Sequence, residues 1–258
     1  MTEASKIAFF DSGIGGLTVL KEALKILPEE DYIYFADVDN VPYGTKPKET
    51  VKKLVFDAVN FLANQDIKIL VLACNTATSV AVADLRREFP FPIVGMEPAV
   101  KPALEKETDK KILVTATSLT LKEEKLKNLI TTYDRKHRVK TLPLDKLVKF
   151  AENLNFEGDE VKDYIKNELS KIKIEEFDTI VLGCTHFIYF KKIFHKILGN
   201  SIALIDGNEG TTRNLKRILT EKNLLNHNGG GKIIFFASKR NEQTLSNLWL
   251  KILESKIP

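Results

Sequence analysis

Residues 69–76 read ILVLACNT, and residues 179–186 read TIVLGCTH. In each stretch a continuous apolar run ends on a cysteine that is followed by polar residues. Such runs are typical of strands buried on both faces, as in parallel sheets covered by helices. The shared ending is too specific for two unrelated buried strands, so it predicts that the chain contains two related halves.

A second pair of stretches supports this duplication. Residues 6–12 read KIAFFDS and residues 111–117 read KILVTAT, and these copies lie 105 residues apart, against 110 residues for the two cysteines. This pair alone would fit any two buried parallel strands equally well. Together, the two similar spacings favour two related α/β halves that face each other.

Elsewhere, short apolar runs alternate with longer segments of helical periodicity, for example residues 17–27, 47–64 and 122–132. This order predicts an α/β fold with two pseudo-symmetric domains, each a mostly parallel sheet flanked by helices. A final helix is expected to begin at Asn241 and end near Ser255.

We expect the two related halves to form two domains. Residues 1–97 together with 207–258 would form the first domain, which carries the first cysteine, and residues 98–206 would form the second. The active site would lie in the cleft between them, because open α/β sheets bind ligands at the carboxyl ends of their strands. We expect the crossing segments, residues 96–99 and 206–208, to act as hinges.

The composition excludes several classes of protein. The 258 residues are 43% hydrophobic and 29% charged, with a net charge of +4. No apolar run is long enough for a membrane span, and the run at residues 7–10 is too short for a signal peptide, so we expect a cytoplasmic protein. The lysines are scattered rather than clustered, which argues against nucleic acid as a partner.

Cys74 and Cys184 are the only cysteines. They make neither a disulfide framework nor a C-x-x-C motif. Because each follows a predicted strand, both thiols would point into the cleft. Thr76 and Thr185 are natural helix N-caps, which would place the thiols near positive helix ends that favour thiolate. Either cysteine alone could be a small apolar residue at a strand-to-helix corner, but their matched positions argue against that.

Two thiols on opposite sides of a substrate suit a racemase or epimerase. One thiolate can remove a proton from one face of a carbon atom while the other thiol delivers a proton to the opposite face. A cysteine with a pKa near ~8.5 can serve as acid or base at cellular pH. This chemistry requires no metal ion and no cofactor.

Further candidate residues follow other predicted strands. Asp11 and Ser12 precede the turn Gly13-Ile14-Gly15-Gly16, whose amides and following helix start suit an anion. Its glycine spacing differs from G-x-G-x-x-G, so a dinucleotide site has little support. The loop VPYGT at residues 41–45 could close over a ligand, and His186 could assist the thiol two residues before it.

Four motifs resemble those of the glutamate racemases, which are cofactor-independent enzymes of the aspartate/glutamate racemase superfamily. The motifs are FDSGIGGLTV at residues 10–19, VPYGT at 41–45, ACNTAT at 73–78 and LGCTH at 182–186. They keep the family's order. The resemblance implies interconversion of L- and D-glutamate, supplying D-glutamate for peptidoglycan precursors, by a homodimer that needs no cofactor and no metal.

The resemblance also implies roles for individual residues. Cys74 would take the α-proton from D-glutamate and Cys184 would take it from L-glutamate, assisted by Asp11 beside the first thiol and His186 beside the second. A family glutamate that also assists the first thiol falls at Glu152, with Glu157 nearby as an alternative. Substrate contacts would come from polar residues and backbone at strand ends, namely Asp11, Ser12, Tyr43, Gly44, Asn75, Thr76, Thr117, Thr185 and His186.

Some features leave alternatives open. His186 is followed by Phe187 and Ile188, where many family members carry Tyr-Pro. An aspartate racemase would use the same two thiols, and one methylene group of specificity is worth only ~1–3 kcal/mol. An amino-acid-binding protein or a thiol redox protein would fit the paired cysteines less well.

Overall fold

The computed structural model describes residues 2–3, 5–105, 108–238 and 242–255. Within these residues, nine strands form two sheets, and every strand pair within each sheet is parallel. Helices flank the sheets. The predicted class, an α/β fold with two parallel sheets, is confirmed.

The first sheet has five strands in the order β4-β3-β1-β2-β9. Their bounds are β1 Lys6–Asp11, β2 Tyr32–Ala36, β3 Ile67–Leu72, β4 Ile93–Gly95 and β9 Ile233–Ala237. The second sheet has four strands in the order β6-β5-β7-β8. Their bounds are β5 Lys111–Ala116, β6 Val139–Pro143, β7 Phe177–Leu182 and β8 Ala203–Asp206.

The two sheets repeat one arrangement. In the first, β1 lies between β2 and the strand that leads to Cys74, and in the second, β5 lies between β6 and the strand that leads to Cys184. The pairing of β1 with β3 shifts register after Lys6, and the pairing of β5 with β7 shifts at the equivalent Lys111. The duplication seen in the sequence therefore extends to a local irregularity of the strands.

The helices cover both faces of the sheets. In the first part of the chain they are α1 Leu17–Ile26, α2 Lys48–Ala63, α3 Asn75–Glu88 and α4 Val100–Leu104. The remaining helices are α5 Ser118–Lys122, α6 Glu124–Tyr133, α7 Lys146–Glu152, α8 Asp159–Leu169, α9 Lys191–Leu198, α10 Asn208–Glu221 and α11 Glu242–Glu254. Two 3₁₀ helices, Ile174–Glu176 and Thr185–Phe190, precede and follow β7.

Side chains of β1 alternate between two apolar cores. Ala8 and Phe10 face α2 and α3, whereas Ile7 and Phe9 face the core that contains α1. The core that contains α1 continues into the other half of the chain, where it includes Cys184 and Phe187 of the following 3₁₀ helix. The two halves are therefore joined by buried apolar packing beside the two cysteines.

The division of strands between sheets is compatible with the expected domains. Strands up to Gly95 and strand β9 belong to the first sheet, and the strands from Lys111 to Asp206 belong to the second. The boundaries after residues 97 and 206, and the hinges there, stay predictions. None of the described helices combines the length and apolar character needed to cross a membrane.

Two predicted helices differ in detail. The helix expected over residues 122–132 is α6, which begins two residues later. It is separated from the short helix α5 by Glu123, whose backbone is extended and whose side chain binds Lys48 across the two halves. The last helix is described from Glu242 to Glu254. The predicted first residue, Asn241, lies outside the described residues.

Candidate active site

Both cysteines lie where the sequence predicted, at the carboxyl end of a buried parallel strand. Cys74 follows β3 and Cys184 follows β7, and both are reduced and buried, with 5% and 6% of their surface exposed. The thiols lie close enough that a charge on Cys184 contributes to the raised pKa of Cys74. The structure thus brings the two predicted reactive groups into one site.

The predicted helix caps are off by one or two residues. Cys74 itself is the N-cap of α3, where its Sγ accepts a hydrogen bond of 3.4 Å from the amide of Ala77. Thr76 lies inside the first turn of that helix. Cys184 is the N-cap of the following 3₁₀ helix but makes no capping bond with its side chain. The Cys74 thiol therefore lies at a positive helix end, as expected, through its own capping contact.

Cys74 is surrounded by groups from the turn after β1. The Ser12 hydroxyl lies 3.8 Å from its Sγ. Burial raises the pKa of the Cys74 thiol well above its usual range, and the negative charge of Asp11 raises it further. In the absence of substrate, Cys74 is therefore a protonated thiol that can act as a proton donor.

Asp11 connects the two halves of the site. Its Oδ1 accepts a hydrogen bond of 2.9 Å from the Gly13 amide, and its Oδ2 accepts one of 3.1 Å from the hydroxyl of Thr185. Complete burial raises the pKa of Asp11, and the positive charge of His186 and these hydrogen bonds oppose the rise. The carboxyl group is thus held between the Cys74 turn and the residue after Cys184.

Buried His186 pairs with partly buried Glu152 on the Cys184 side. His186 Nε2 lies 2.6 Å from Glu152 Oε1, and its Nδ1 lies 3.9 Å from Cys184 Sγ. Burial alone would lower the pKa of His186, but its contacts with Cys184 and Glu152 raise it well above its usual range. These contacts favour the protonated imidazole, whose positive charge lies beside the second thiol.

Glu152 also reaches the glycine turn of the first half. Its Oε1 accepts a hydrogen bond of 2.8 Å from the Ile14 amide, and a Cβ atom on Gly13 would lie only 1.9 Å from that oxygen. A side chain at residue 13 would have to displace this carboxylate from its place against the turn. Glu157, the alternative, is 60% exposed and lies 3.9 Å from Lys192, away from these groups. Assistance of Cys74 by Glu152 stays a prediction.

Three threonine hydroxyls meet between the halves. Thr76 from α3 lies 3.0 Å from Thr117 and 3.1 Å from Thr120, and the latter two are 2.9 Å apart. Sequence reasoning identified Thr76 and Thr117 but missed Thr120. Thr120 could have been found from its position three residues after Thr117, because a helix N-cap hydroxyl accepts from the amide three residues later. Here the Thr117 hydroxyl caps α5 by accepting from the Thr120 amide.

The VPYGT loop of the first half packs against the second half. A Cβ atom on Gly44 would lie 2.3 Å from Thr117 Cβ, and the Gly44 carbonyl accepts a hydrogen bond of 3.0 Å from the Leu119 amide. The Tyr43 hydroxyl donates to Asp37 Oδ2 at 2.6 Å. Asp37, which the sequence did not single out, therefore orients the loop.

Asn75 offers an unused acceptor. Its Nδ2 donates to the Met96 carbonyl at 3.2 Å, while its buried Oδ1 has no hydrogen-bond partner. A buried polar atom of this kind is costly unless a ligand satisfies it, and an ammonium group would do so. Among the described residues, no three His, Cys, Asp or Glu side chains are grouped in a way that could hold a metal ion.

The family follows from comparison with known proteins. Residues 18–215 match the model of the Asp/Glu/Hydantoin racemase family. The chain belongs to this family. The glutamate racemase of Halothermothrix orenii is 50% identical over 250 residues, which cover 96% of this chain and 99% of that protein. Glutamate racemase 2 of Bacillus subtilis is 55% identical over 235 residues, covering 90% and 88% of the two chains.

Solved structures of the racemase family agree with the fold. The crystal structure of the Francisella tularensis glutamate racemase in complex with D-glutamate superposes with a TM-score of 0.84 at 28% identity, covering 96% of this chain and 94% of that one. The family resemblance seen in the four motifs is thereby confirmed.

Proposed function

We propose that this chain interconverts L- and D-glutamate without a cofactor, by removing the α-proton with one thiol and returning a proton with the other. The observation that carries the proposal is the pair of buried cysteines at equivalent strand ends of the two repeated sheets, bridged by the bond between Asp11 and Thr185. A packing role would require neither the repetition nor the surrounding carboxyl, imidazole and hydroxyl groups.

In the L-to-D direction, Cys184 acts as the base. Its thiolate, beside protonated His186, takes the α-proton, and the protonated Cys74 thiol delivers its own proton to the opposite face of Cα. One S–H bond forms, one C–H bond breaks, and the reverse pair of changes follows on the other face. Each turnover leaves Cys74 as thiolate and Cys184 as thiol, which is the state that D-glutamate requires.

The substrate would be held by polar groups at the strand ends. The free Oδ1 of Asn75 suits the α-ammonium group. Hydroxyl and backbone donors suit the carboxylates and stabilise the charge that spreads into the α-carboxylate as the proton leaves. The candidates are Ser12, Tyr43, Gly44, Thr76, Thr117, Thr185 and His186. Asp11, which holds Thr185 in place, would help to order this set.

Glutamate is favoured as substrate over aspartate. The H. orenii and B. subtilis relatives are glutamate racemases, and the F. tularensis relative binds D-glutamate. By the same analogy we propose that the product serves peptidoglycan synthesis, that the enzyme is cytoplasmic, and that it works as a homodimer. Closure of the domains 1–97 plus 207–258 and 98–206 about their crossing segments would exclude water from the intermediate.

A direct assay tests the substrate. The purified protein is incubated with L-glutamate or L-aspartate, with no additive, and the optical rotation is followed. We expect the rotation of glutamate to fall to zero, with kcat/KM at least about tenfold above that for aspartate, because one methylene group is worth about 1–3 kcal/mol. Faster racemisation of aspartate would support the alternative substrate. If the optical rotation of both amino acids stayed unchanged, the proposal would be overturned.

A further inference from the structure

Tyr189 lies in the 3₁₀ helix after Cys184 and has no part in the reaction described above. Only 3% of its surface is exposed, and its ring packs against Phe156 with the ring centroids 4.8 Å apart. Its hydroxyl donates a hydrogen bond of 2.8 Å to the carbonyl oxygen of Ile14, which belongs to the glycine turn of the first half.

The same residue of the turn is bound a second time from the second half. The Ile14 amide donates to Glu152 Oε1 at 2.8 Å, while its carbonyl accepts from Tyr189. Both polar backbone atoms of Ile14 are therefore held by side chains of the opposite half. Within the first half, the Tyr34 hydroxyl holds the neighbouring Gly13 carbonyl at 2.6 Å.

This turn carries the groups that surround the first thiol. Ser12 lies beside Cys74, and Asp11 reaches across to Thr185. A displacement of the turn relative to the second half would change the position of Cys74's neighbours relative to Cys184. The proton transfers need the two thiols on opposite faces of one carbon atom, and errors of about 1 Å in such an arrangement can cost ~10²-fold in rate.

The Tyr189 hydroxyl remains a donor at every pH where the enzyme would work. Burial raises the pKa of Tyr189 well above its usual range, and the carboxylates of Asp11 and Glu152 raise it further. The bond to Ile14 is therefore not lost through ionisation of the hydroxyl.

We propose that Tyr189 is a positioning residue that, together with Glu152, aligns the glycine turn of the first half with the Cys184 half. It thereby keeps the two thiols in the geometry in which one returns a proton promptly after the other has removed one. This inference rests on the proposed racemase activity.

The test compares Tyr189→Phe with Tyr32→Phe. Each variant keeps the ring and removes one buried hydroxyl that donates to a backbone carbonyl, and the Tyr32 bond, 2.6 Å to Leu27, lies at the opposite end of the first sheet. For Tyr189→Phe we expect kcat for glutamate to fall about five- to tenfold with KM within about twofold, as for loss of one buried hydrogen bond. Tyr32→Phe should keep wild-type kinetics.

A second readout separates positioning from stability. In D₂O at low conversion, late delivery of the second proton lets the first thiol exchange with solvent and return deuterium to the substrate. The ratio of deuterium in recovered substrate to deuterium in product should rise at least about threefold for Tyr189→Phe and stay unchanged for Tyr32→Phe. The ratio is independent of how much protein is folded.

An unchanged deuterium ratio in Tyr189→Phe would overturn the inference, as would equal losses of kcat in both variants. Failure of the wild-type protein to racemise glutamate or aspartate would instead overturn the proposed function, and the inference with it.

Discussion

The hydroxyl of Thr185 donates a hydrogen bond of 3.1 Å to Oδ2 of Asp11, although the two residues are 174 positions apart and belong to different halves of the chain. Asp11 ends the strand next to the one that leads to Cys74, and Thr185 directly follows Cys184. The bond thus joins the neighbourhoods of the two thiols. It also supplies one of the few groups that oppose the effect of burial on the pKa of Asp11.

Removing this hydroxyl should change both rate and pH dependence. Thr185→Val keeps the side-chain volume but removes the donor to Oδ2 of Asp11 and leaves only the Gly13 amide at Oδ1. The pKa of Asp11 should therefore rise further, and the acid limb of the kcat/KM profile should move to higher pH. We expect kcat/KM to fall about 10- to 100-fold, because loss of a bond to a buried charged group costs about 1.5–3 kcal/mol. Steady-state kinetics as a function of pH provide the measurement.

Thr179→Val is the matched control, since Thr179 is a fully buried threonine of β7 whose hydroxyl donates to Asp178. It should leave the pH profile unchanged. An unshifted acid limb in Thr185→Val would show that the bond does not influence Asp11.

The glycine turn leaves no room for a side chain at Gly15. A Cβ atom there would lie 2.4 Å from Thr185 Oγ1 and 2.5 Å from His186 Nδ1, so Gly15→Ala must displace side chains on the Cys184 side. We expect kcat to fall at least about 100-fold, as for an error of about 1 Å among reacting groups.

Gly210→Ala in α10 is the control, because a Cβ atom there meets nothing within 4 Å. It should keep activity and gain about 0.5–1 kcal/mol of stability from the better helix former. Thermal unfolding and glutamate racemisation of the two variants test this pair. Activity of Gly15→Ala near that of the control would contradict the described packing.

Because folding raises the pKa of His186, the free energy of unfolding should depend on pH. This histidine has a pKa of 6.5 in the unfolded chain and one well above that in the folded protein, so its contribution is complete below pH 6.5 and is lost as the pH rises towards the folded value. Between these values the wild-type free energy of unfolding should decrease by up to about 1.4 kcal/mol per pH unit relative to His186→Gln. Urea unfolding of both proteins, from roughly pH 6 to pH 9, measures the difference in the free energy of unfolding. A difference that is constant with pH would refute it.

A buried ion pair far from the thiols predicts a large effect on stability alone. Lys68 Nζ lies 2.6 Å from Glu30 Oε2, both side chains are at most 1% exposed, and Lys68 also donates to the Leu224 carbonyl. Lys68→Met leaves the Glu30 charge buried without its partner, so we expect a loss of about 3–5 kcal/mol in the free energy of unfolding.

The comparison is Lys25→Met, which breaks a surface pair whose lysine is 62% exposed. It should change the free energy of unfolding by less than about 1 kcal/mol. Denaturant titrations of Lys68→Met and Lys25→Met measure both losses in the free energy of unfolding. Equally small losses in the two variants would mean that the Lys68 pair is not buried in solution.

Much of the fold could be predicted from local sequence. The apolar runs that precede Cys74 and Cys184 are strands β3 and β7, as predicted, because buried parallel strands have a distinctive, continuous apolar pattern. Strand β6 and helix α10 were not predicted. Only one residue of β6 is buried, and two of the four buried residues of α10 are threonines, so neither shows a clear apolar period.

The contacts within the site could not be predicted in the same way. The bond from Tyr189 to Ile14, the pairing of Glu152 with the Ile14 amide and the place of Thr120 among three hydroxyls all cross between the halves. Such contacts depend on how the sheets pack together, and the residues that make them, 44 to 175 positions apart, show no sequence spacing that would reveal the packing. Motifs identified the thiols, but only the three-dimensional structure reveals which contacts hold the two halves of the site in position.

The central claim is that each thiol serves one enantiomer, and isotope exchange in the two cysteine variants tests it most directly. Cys74→Ser and Cys184→Ser are each incubated in D₂O with L-glutamate and, separately, with D-glutamate. Racemisation should fall about 10²- to 10⁴-fold in both, as for loss of a general acid or base. Cys74→Ser should still place deuterium at Cα of recovered L-glutamate but not of D-glutamate, and Cys184→Ser should do the opposite. Exchange of both enantiomers by one variant, or racemisation at the wild-type rate, would contradict the two-thiol account.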